Sequence, residues 1–149
     1  MRRKALFPGT FDPYTIAHDA IVQRAFSFTD EIIIGIGINS EKNTIFSLDS
    51  RIAFIEKLYA SEERISVASY DTLTIDFAKK ADVNFILRGV RNSVDFEYER
   101  NMANFNRKQA GIDTVFLISE PEFFHISSTL LRELIRCKQS ISHFIPVLK

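Results

Sequence analysis

The segment at residues 7–18, FPGTFDPYTIAH, combines a tight turn with side chains that can bind phosphate. A short apolar strand leads into a turn that contains Gly9 and Thr10, and a helical pattern begins near Thr15. Such a junction presents free backbone N–H groups and the positive end of a helix dipole, and both stabilise an anion. His18 falls in the first turn of that helix and can face the same anion. The segment therefore predicts a phosphate site.

Two further segments contain side chains of the same chemistry. Arg88 and Arg91 flank Gly89 and Val90, and arginine suits phosphate because its planar guanidinium donates paired hydrogen bonds. Farther along the chain, three hydroxyl residues open a helical pattern at residues 127–129. They can cap that helix, or they can leave N–H groups and hydroxyls facing a polyphosphate.

The elements that must position these segments alternate between apolar runs and helical periodicity. Strand-like runs occupy residues 5–7, 32–38, 65–69, 85–87 and 115–118, and helical patterns occupy residues 17–28, 47–59, 75–81, 93–110 and 127–137. Apolar strands separated by helices indicate an α/β fold, a Rossmann-like, doubly wound, five-stranded parallel sheet with helices on both faces. We expect the strand order 3-2-1-4-5 and a single domain over residues 1–149.

The expected strand order brings the separate segments together. In a doubly wound sheet, ligands bind beyond the carboxyl ends of the strands, where the strand order reverses. This point lies between strands one and four, so the loop with Thr10 and the segment with Arg88 become neighbours. Lys42, in the loop after strand two, adds a positive charge at the same rim. The sequence thus predicts one anion-binding cleft built from distant parts of the chain.

Composition and charge exclude several classes of protein. The chain has 19 basic and 19 acidic residues, and zero net charge argues against a protein that wraps nucleic acid or binds an anionic membrane. No apolar run is long enough to span a bilayer. The single cysteine, Cys137, excludes a disulfide within the chain and a thiolate metal cluster. We expect a cytoplasmic protein without membrane or nucleic-acid partners.

Taken together, these segments resemble the phosphopantetheine adenylyltransferases, bacterial enzymes of the nucleotidyltransferase superfamily that is marked by a T/HxGH motif. The matching stretches are residues 7–13, 15–18, 88–99 and 126–133. The first two mark only the superfamily, whereas the stretch RGVRNSVDFEYE is far more specific to this one enzyme. Ala17 departs from the motif, which has glycine there, and adds a methyl group close to where a nucleotide would lie.

The resemblance implies a reaction in which ATP and 4'-phosphopantetheine give dephospho-coenzyme A and pyrophosphate. It implies that the catalytic residues are Thr10, His18, Lys42 and Arg88. The implied ATP-binding residues are Thr10, Phe11, His18, Gly89, Val90, Arg91, Glu99, Phe123, Phe124, His125, Ile126, Ser127, Ser128 and Thr129. The implied residues for the pantetheine substrate are Thr10, Lys42, Thr74, Arg88, Met102 and Asn106. Magnesium is expected with ATP and without protein ligands, and a homohexamer with coenzyme A as a possible feedback ligand is expected from the family.

Three other interpretations of the sequence remain open. A cytidylyltransferase or a nicotinamide mononucleotide adenylyltransferase of the same superfamily would share the first loop and His18, but residues 88–99 favour the pantetheine enzyme. A nucleotide-binding sensor without turnover would keep the fold, and pyrophosphate release distinguishes it from an enzyme. A fragment of a class I aminoacyl-tRNA synthetase is disfavoured by the zero net charge and by the absence of a KMSKS-like lysine loop.

Overall fold

A five-stranded parallel sheet forms the centre of the fold in a computed structural model that describes residues 1–39 and 43–148. Its strands are β1 (Lys4–Gly9), β2 (Glu31–Gly37), β3 (Ile65–Tyr70), β4 (Phe85–Val90) and β5 (Asp113–Ile118). The helices are α1 (Ile16–Ala25), α2 (Leu48–Leu58), α3 (Thr74–Lys80), α4 (Ser93–Ala110) and α5 (Ser128–Arg136). Short 3-10 turns lie at Pro121–Phe123 and Ser142–Phe144. The predicted α/β class and its five strands are confirmed.

The strand order is β3-β2-β1-β4-β5, as the sequence predicts. The pairing of β1 with β4 is short, because the register joins only Ala5 with Phe85 and Leu6 with Ile86. By contrast, β1 pairs with β2 along its whole length, from Lys4 to Gly9. The two central strands therefore separate towards their carboxyl ends, and this separation opens a crevice where the strand order reverses.

Alternate residues of the strands face two separate apolar layers. Ala5 and Phe7 face a core that includes Val22 of α1 and Ile55 of α2. Leu6 belongs to the opposite core, which includes buried residues of α3. Because successive side chains of a strand point to opposite faces, the apolar residues 5–7 of β1 contribute to both cores, and the sheet is covered on both sides.

Strand β1 is longer than its apolar run indicates, because it continues through Pro8 and Gly9. The carbonyl of Pro8 accepts a hydrogen bond from Arg88 on the β4 side. The N–H and C=O of a strand residue point to the same side, so the missing N–H of Pro8 falls where β1 and β4 no longer pair. Proline therefore costs the sheet no ladder hydrogen bond at this position.

Side-chain caps fix the helix starts that surround the crevice. Thr15, Asn92 and Ser127 each accept a hydrogen bond from a backbone N–H of the helix that follows. Ser47, which the sequence predicts as a cap, does the same for α2. Within the described residues, no helix is long and apolar enough to cross a membrane.

Candidate active site

A cleft of about 580 Å³ lies at the carboxyl ends of β1 and β4. Its walls come from the loop after β1, the first turn of α1, the end of β4, and the start of α5. Among the residues singled out from sequence, those that line it are Thr10, Phe11, His18, Arg88, Gly89, Arg91, Glu99, Ile126, Ser127, Ser128 and Thr129. The three anion-binding segments therefore meet at one sheet edge.

His18 is held by the cap of its own helix. The Thr15 side chain accepts from the backbone N–H of His18 at 3.3 Å, and the Thr15 backbone N–H donates to Nδ1 of His18 at 2.9 Å. An amide N–H is always a donor, so Nδ1 must be the unprotonated nitrogen of a neutral imidazole. The proton then resides on Nε2, at the opposite side of the ring, where it is available to a ligand in the cleft.

The surroundings of His18 keep its imidazole neutral. Burial, followed by the positive charges of Arg88 and Arg91, lowers the pKa of His18 to about 3. Aromatic rings supply much of that burial, since the centroids of Phe11 and Tyr14 lie 5.0 and 5.2 Å from the imidazole centroid. At neutral pH the side chain is thus a hydrogen-bond donor without a charge, and the positive potential of the site comes from the arginines.

The loop after β1 is held by three hydrogen bonds from two helices. Arg51 of α2 donates to the carbonyl of Thr10 at 2.7 Å. Arg132 of α5 donates to the carbonyl of Asp12 at 3.0 Å, and the Ser128 hydroxyl donates to the carbonyl of Pro13 at 2.9 Å. These three bonds use the carbonyls of the loop, so the loop is fixed without using N–H groups that could bind an anion.

Asp12 has a structural role in this loop. Its buried carboxylate accepts hydrogen bonds from the backbone N–H groups of Ile45 and Phe46, both at 2.9 Å. Arg51 donates to the carbonyl of Phe46 as well, at 3.2 Å. Asp12 and Arg51 together therefore join the loop after β1 to the segment that follows residue 42. We call this loop, residues 10–15, the phosphate loop after its predicted role.

Gly9 is required by the ring that follows it. Phe11 adopts a positive φ of 50°, which places its ring against the Gly9 Cα. A Cβ on Gly9 would lie 2.8 Å from the Phe11 ring, closer than real side chains approach. The glycine thus allows the Phe11 ring to pack beneath the loop and against His18.

Both arginines of the second segment form ion pairs with α4. Arg88 makes a bidentate pair with Glu99, with NH2–Oε1 and Nε–Oε2 distances of 2.6 and 2.9 Å, and its NH1 donates to the Pro8 carbonyl at 2.5 Å. Arg91 pairs with Asp95 at 2.9 Å. Guanidinium has five N–H donors, and Arg88 uses three in these bonds. Within the described residues, two N–H donors of Arg88 remain for a ligand.

The hydroxyls at the start of α5 also stabilise the protein itself. Ser127 caps the helix by accepting from the Leu130 N–H at 3.1 Å, and Thr129 accepts from Arg132 at 3.1 Å. The first backbone N–H groups of α5 lie at the wall of the cleft. This helix start therefore combines capping with the electrostatic environment that favours a phosphate.

Several residues singled out from sequence do not line this cleft. They are Thr74, Val90, Met102, Asn106, Phe123, Phe124 and His125. Val90 is buried at the end of β4, and the Thr74 hydroxyl lies 3.0 Å from that of Tyr70. Met102 and Asn106 are one helical turn apart on α4, the first exposed and the second buried. Lys42 lies outside the described residues.

The carboxylates at the cleft already have partners. Asp12 binds backbone N–H groups, Asp95 binds Arg91, and Glu99 binds Arg88. In residues 1–39 and 43–148, no group of three or more His, Cys, Asp or Glu side chains could hold a metal ion. The donor set therefore fits a metal ion that arrives with a nucleotide better than one that the protein binds by itself.

Comparison with known proteins places this site in a family. Residues 6–134 match the family model described as cytidylyltransferase-like. A phosphopantetheine adenylyltransferase of Bacteroides thetaiotaomicron is 56% identical over 144 residues, which are 97% of this chain and 95% of the relative. The Bacteroides fragilis enzyme of the same name is 55% identical, over 97% of this chain and 96% of its own. The chain belongs to the phosphopantetheine adenylyltransferase family. The resemblance found on residues 88–99 is thereby confirmed.

Solved structures support the fold of this adenylyltransferase family member at low sequence identity. A bifunctional NMN adenylyltransferase/ADP ribose pyrophosphatase from Francisella tularensis superposes with a TM-score of 0.71 at 15% identity, over 97% of this chain and 44% of the other. A lipopolysaccharide core biosynthesis protein from Thermoplasma volcanium superposes with a TM-score of 0.60 at 18% identity, over 80% of this chain and 98% of the other. At these identities the likeness concerns the fold alone.

Sequence reasoning missed the residues that hold the adenylyltransferase's phosphate loop in place. Arg51 sits on a helix whose pattern marks it only as a polar position, and Arg132 lies in the matching stretch 126–133 without an implied role; their bonds to the loop span 41 and 120 residues of sequence. Asp12 lies in the segment that predicts the phosphate site, but its carboxylate accepts hydrogen bonds from the backbone N–H groups of Ile45 and Phe46. No local signal distinguishes such long-range contacts from ordinary surface charges.

Proposed function

We propose that the chain transfers the adenylyl group of ATP to 4'-phosphopantetheine, giving dephospho-coenzyme A and pyrophosphate. One observation supports this function most strongly: the N–H of His18 Nε2 and the guanidinium groups of Arg88 and Arg91 converge on a single cleft. Transfer between two phosphates needs positive potential and fixed donors more than an activated nucleophile. The family to which the chain belongs supplies the identity of the two substrates.

The reaction needs no covalent enzyme intermediate. The phosphate of 4'-phosphopantetheine is an anion at neutral pH, and one of its oxygens attacks the α-phosphorus of ATP in line. The bond between the α-phosphorus and the bridging oxygen breaks, and pyrophosphate leaves with the electron pair. The protein contributes alignment of two anions and stabilisation of the charge that spreads over the α-phosphate oxygens.

His18 is the donor to the α-phosphate. Its Nε2–H carries no formal charge, so it adds directed hydrogen bonding without holding the phosphate strongly in the ground state. Charge that builds on the α-phosphate strengthens this hydrogen bond in the transition state. Arg88 and Arg91 supply the long-range attraction, and their carboxylate partners hold both guanidinium groups in fixed orientations.

The remaining roles are those that the family resemblance implies. Thr10, Lys42 and Arg88 hold the acceptor phosphate. Glu99 fixes the orientation of the Arg88 guanidinium group. The nucleotide lies against Phe11, Gly89, Arg91 and the start of α5 at residues 127–129. Val90 at the end of β4 and the residues before α5, namely Phe123, Phe124, His125 and Ile126, complete the nucleotide site. Thr74, Met102 and Asn106 contact the pantetheine arm beyond the cleft.

Magnesium accompanies ATP and neutralises part of the triphosphate charge when bound. The carboxylates of the described cleft are engaged by arginines or backbone, so the protein would not hold the ion by itself. Arg88 and Arg91 would bind the phosphates from the protein side.

The assembled form is a homohexamer. Helix α4 supports this assignment, because Val94, Tyr98 and Phe105 form an exposed stripe at helical spacing, with Val94 77% and Tyr98 66% exposed. Large apolar stripes of this kind mark contact surfaces between proteins.

The protein works in the cytoplasm. Coenzyme A acts as a feedback ligand of the same site, because it contains a pantetheine arm and a phosphate-bearing nucleotide.

A panel of nucleotides and acceptors tests the proposed function. Pyrophosphate release is measured with ATP, CTP and GTP, each with 4'-phosphopantetheine, nicotinamide mononucleotide or no acceptor. The proposal expects release only with ATP and 4'-phosphopantetheine together. Release with nicotinamide mononucleotide or CTP would assign the chain to another activity of the superfamily, and ATP binding without release in any combination would make it a sensor.

A further inference from the structure

A buried row of hydrogen bonds runs behind His18 and joins the phosphate loop to helix α2. The hydroxyls of Tyr14 and Tyr59 are 2.7 Å apart, and the Tyr59 hydroxyl donates to Oδ1 of Asp19 at 2.5 Å. A tyrosine hydroxyl has one proton, so Tyr14 must be the donor to Tyr59. The hydrogen bonds therefore run from Tyr14 to Tyr59 and from Tyr59 to Asp19. Tyr14 and Tyr59 are only 2% and 8% exposed.

This row holds the residues on both sides of His18 in the sequence. Tyr14 immediately precedes Thr15, whose N–H donates to Nδ1 of His18. The Tyr14 ring also lies against the imidazole, with the two planes inclined at 32°. Asp19 immediately follows His18 in the first turn of α1. The Tyr59 hydroxyl thus fixes one residue before the cap of α1 and one residue after His18.

The hydroxyl of Tyr59 takes part in both hydrogen bonds of the row, because it accepts from Tyr14 and donates to Asp19. Without it, the buried Tyr14 hydroxyl loses its acceptor, and a buried polar group without a partner costs about 1–3 kcal/mol. Among the described residues, the Asp19 carboxylate would then keep the exposed contact from Gln23 at 3.2 Å. The Tyr14 hydroxyl and the Asp19 carboxylate would then move towards other partners. The Tyr14 ring, which packs against the imidazole, and the neighbouring Thr15 N–H would move with Tyr14.

We propose that Tyr14, Tyr59 and Asp19 are positioning residues that hold the His18 imidazole with Nε2 directed into the cleft. None of the three lines the cleft, so they act through His18 and not on a substrate. The inference rests on the proposed function for what His18 does in turnover. The orientation and tautomer of its ring, however, are properties of the free protein and can be measured without any substrate.

The first test compares Tyr59→Phe and Tyr14→Phe with the wild-type protein in steady-state turnover. We expect kcat to fall about tenfold in each, with KM for ATP changed less than about twofold, because a displaced donor weakens the transition state more than ground-state binding. The kcat of the double variant should fall no further than that of either single variant, since both substitutions break the same row.

Thr29→Val is the matched control, because it removes another buried hydroxyl, bonded to the Ala25 carbonyl at the far end of the sheet.

A conservative variant separates the hydrogen bond from the charge. Asp19→Asn keeps an acceptor oxygen for the Tyr59 hydroxyl and should retain most of the wild-type kcat. Asp19→Leu removes the acceptor and should match Tyr59→Phe. An equal loss in both Asp19 variants would overturn the proposed row, as would full activity of Tyr59→Phe, Tyr14→Phe and Asp19→Leu.

The second test reads the His18 ring directly in the free protein. Nitrogen-15 NMR of the histidine side chains, assigned by comparison with His18→Gln, should show His18 in wild type as the neutral form with the proton on Nε2. In Tyr59→Phe we expect a mixture of tautomers, with Thr29→Val unchanged. Unaltered His18 resonances in Tyr59→Phe would overturn the inference even if kcat falls. A wild-type protein without adenylyl transfer would contradict the proposed function, while the NMR result would still decide the positioning role.

Discussion

The backbone N–H of Thr15 lies 2.9 Å from Nδ1 of His18, and this one hydrogen bond determines which nitrogen of the imidazole holds the proton. The active site therefore presents a neutral N–H donor beside two arginines, instead of a third cation. Burial and the charges of Arg88 and Arg91 lower the pKa of His18 and keep it in this form. In the proposed function, this division between a neutral donor and fixed cations serves to align two anions.

The lowered pKa of His18 predicts how stability depends on pH. The pKa is about 3 in the folded protein and near 6.5 in the unfolded chain, so between these values the unfolded chain binds more protons. His18 therefore contributes stability that is complete above pH 6.5 and is lost as the pH falls towards 3. From pH 6 to pH 4 the free energy of unfolding should decrease less steeply in His18→Gln than in the wild type. The two slopes should differ by about 1 kcal/mol per pH unit. Urea unfolding at several pH values measures this, and equal slopes in both proteins would contradict a buried neutral imidazole.

Arg88 is expected to recognise the phosphate of the acceptor. Arg88→Ala should raise the Kd for 4'-phosphopantetheine about tenfold or more, while the Kd for pantetheine without its phosphate changes little. Calorimetric titration of both ligands measures the two effects. Arg107→Ala serves as the control, because Arg107 forms an exposed ion pair with Asp113. The same loss for both ligands would contradict a contact between Arg88 and the phosphate.

Ala17 lines the cleft at the second residue of α1, where the superfamily motif has glycine. Ala17→Gly should leave the Kd for ATP unchanged or slightly lower, because removing one methyl opens space beside the nucleotide. The midpoint of thermal unfolding should fall slightly, since glycine is about 0.5–1 kcal/mol less favourable than alanine in a helix. Ala20→Gly in the same helix controls for that cost. Markedly weaker ATP binding in Ala17→Gly alone would show that the methyl is part of the site.

Arg51 is expected to stabilise the phosphate loop from beneath. Arg51→Met removes the donors to the carbonyls of Thr10 and Phe46, so the free energy of unfolding should fall by about 1–3 kcal/mol. Turnover of the folded variant should fall as well, because Thr10 is no longer held against the cleft. Lys57→Met, an exposed position on the same helix, provides the control for chemical denaturation and kinetics. A variant as stable and active as the wild type would contradict this role of Arg51.

The fold was predictable because its evidence is local. Apolar strands alternate with helical patterns along the chain, and the rule that ligands bind where the strand order reverses then places Thr10 and Arg88 at one edge. The pairing of Arg88 with Glu99 was not predicted, since the matching motif suggested separate ligand roles for the two residues. The row through Tyr14 and Tyr59 was not predicted either, because its atoms meet only after α2 packs beside the phosphate loop.

The central claim is that the Nε2–H of His18 stabilises the transition state of adenylyl transfer. The most direct test is the rate of pyrophosphate release from ATP and 4'-phosphopantetheine by His18→Ala, measured beside the wild type and beside the exposed-site variant His143→Ala. We predict a loss of about 10²-fold or more in kcat for His18→Ala, with a normal circular dichroism spectrum and with His143→Ala fully active. Turnover by His18→Ala within a few-fold of the wild type would contradict the account.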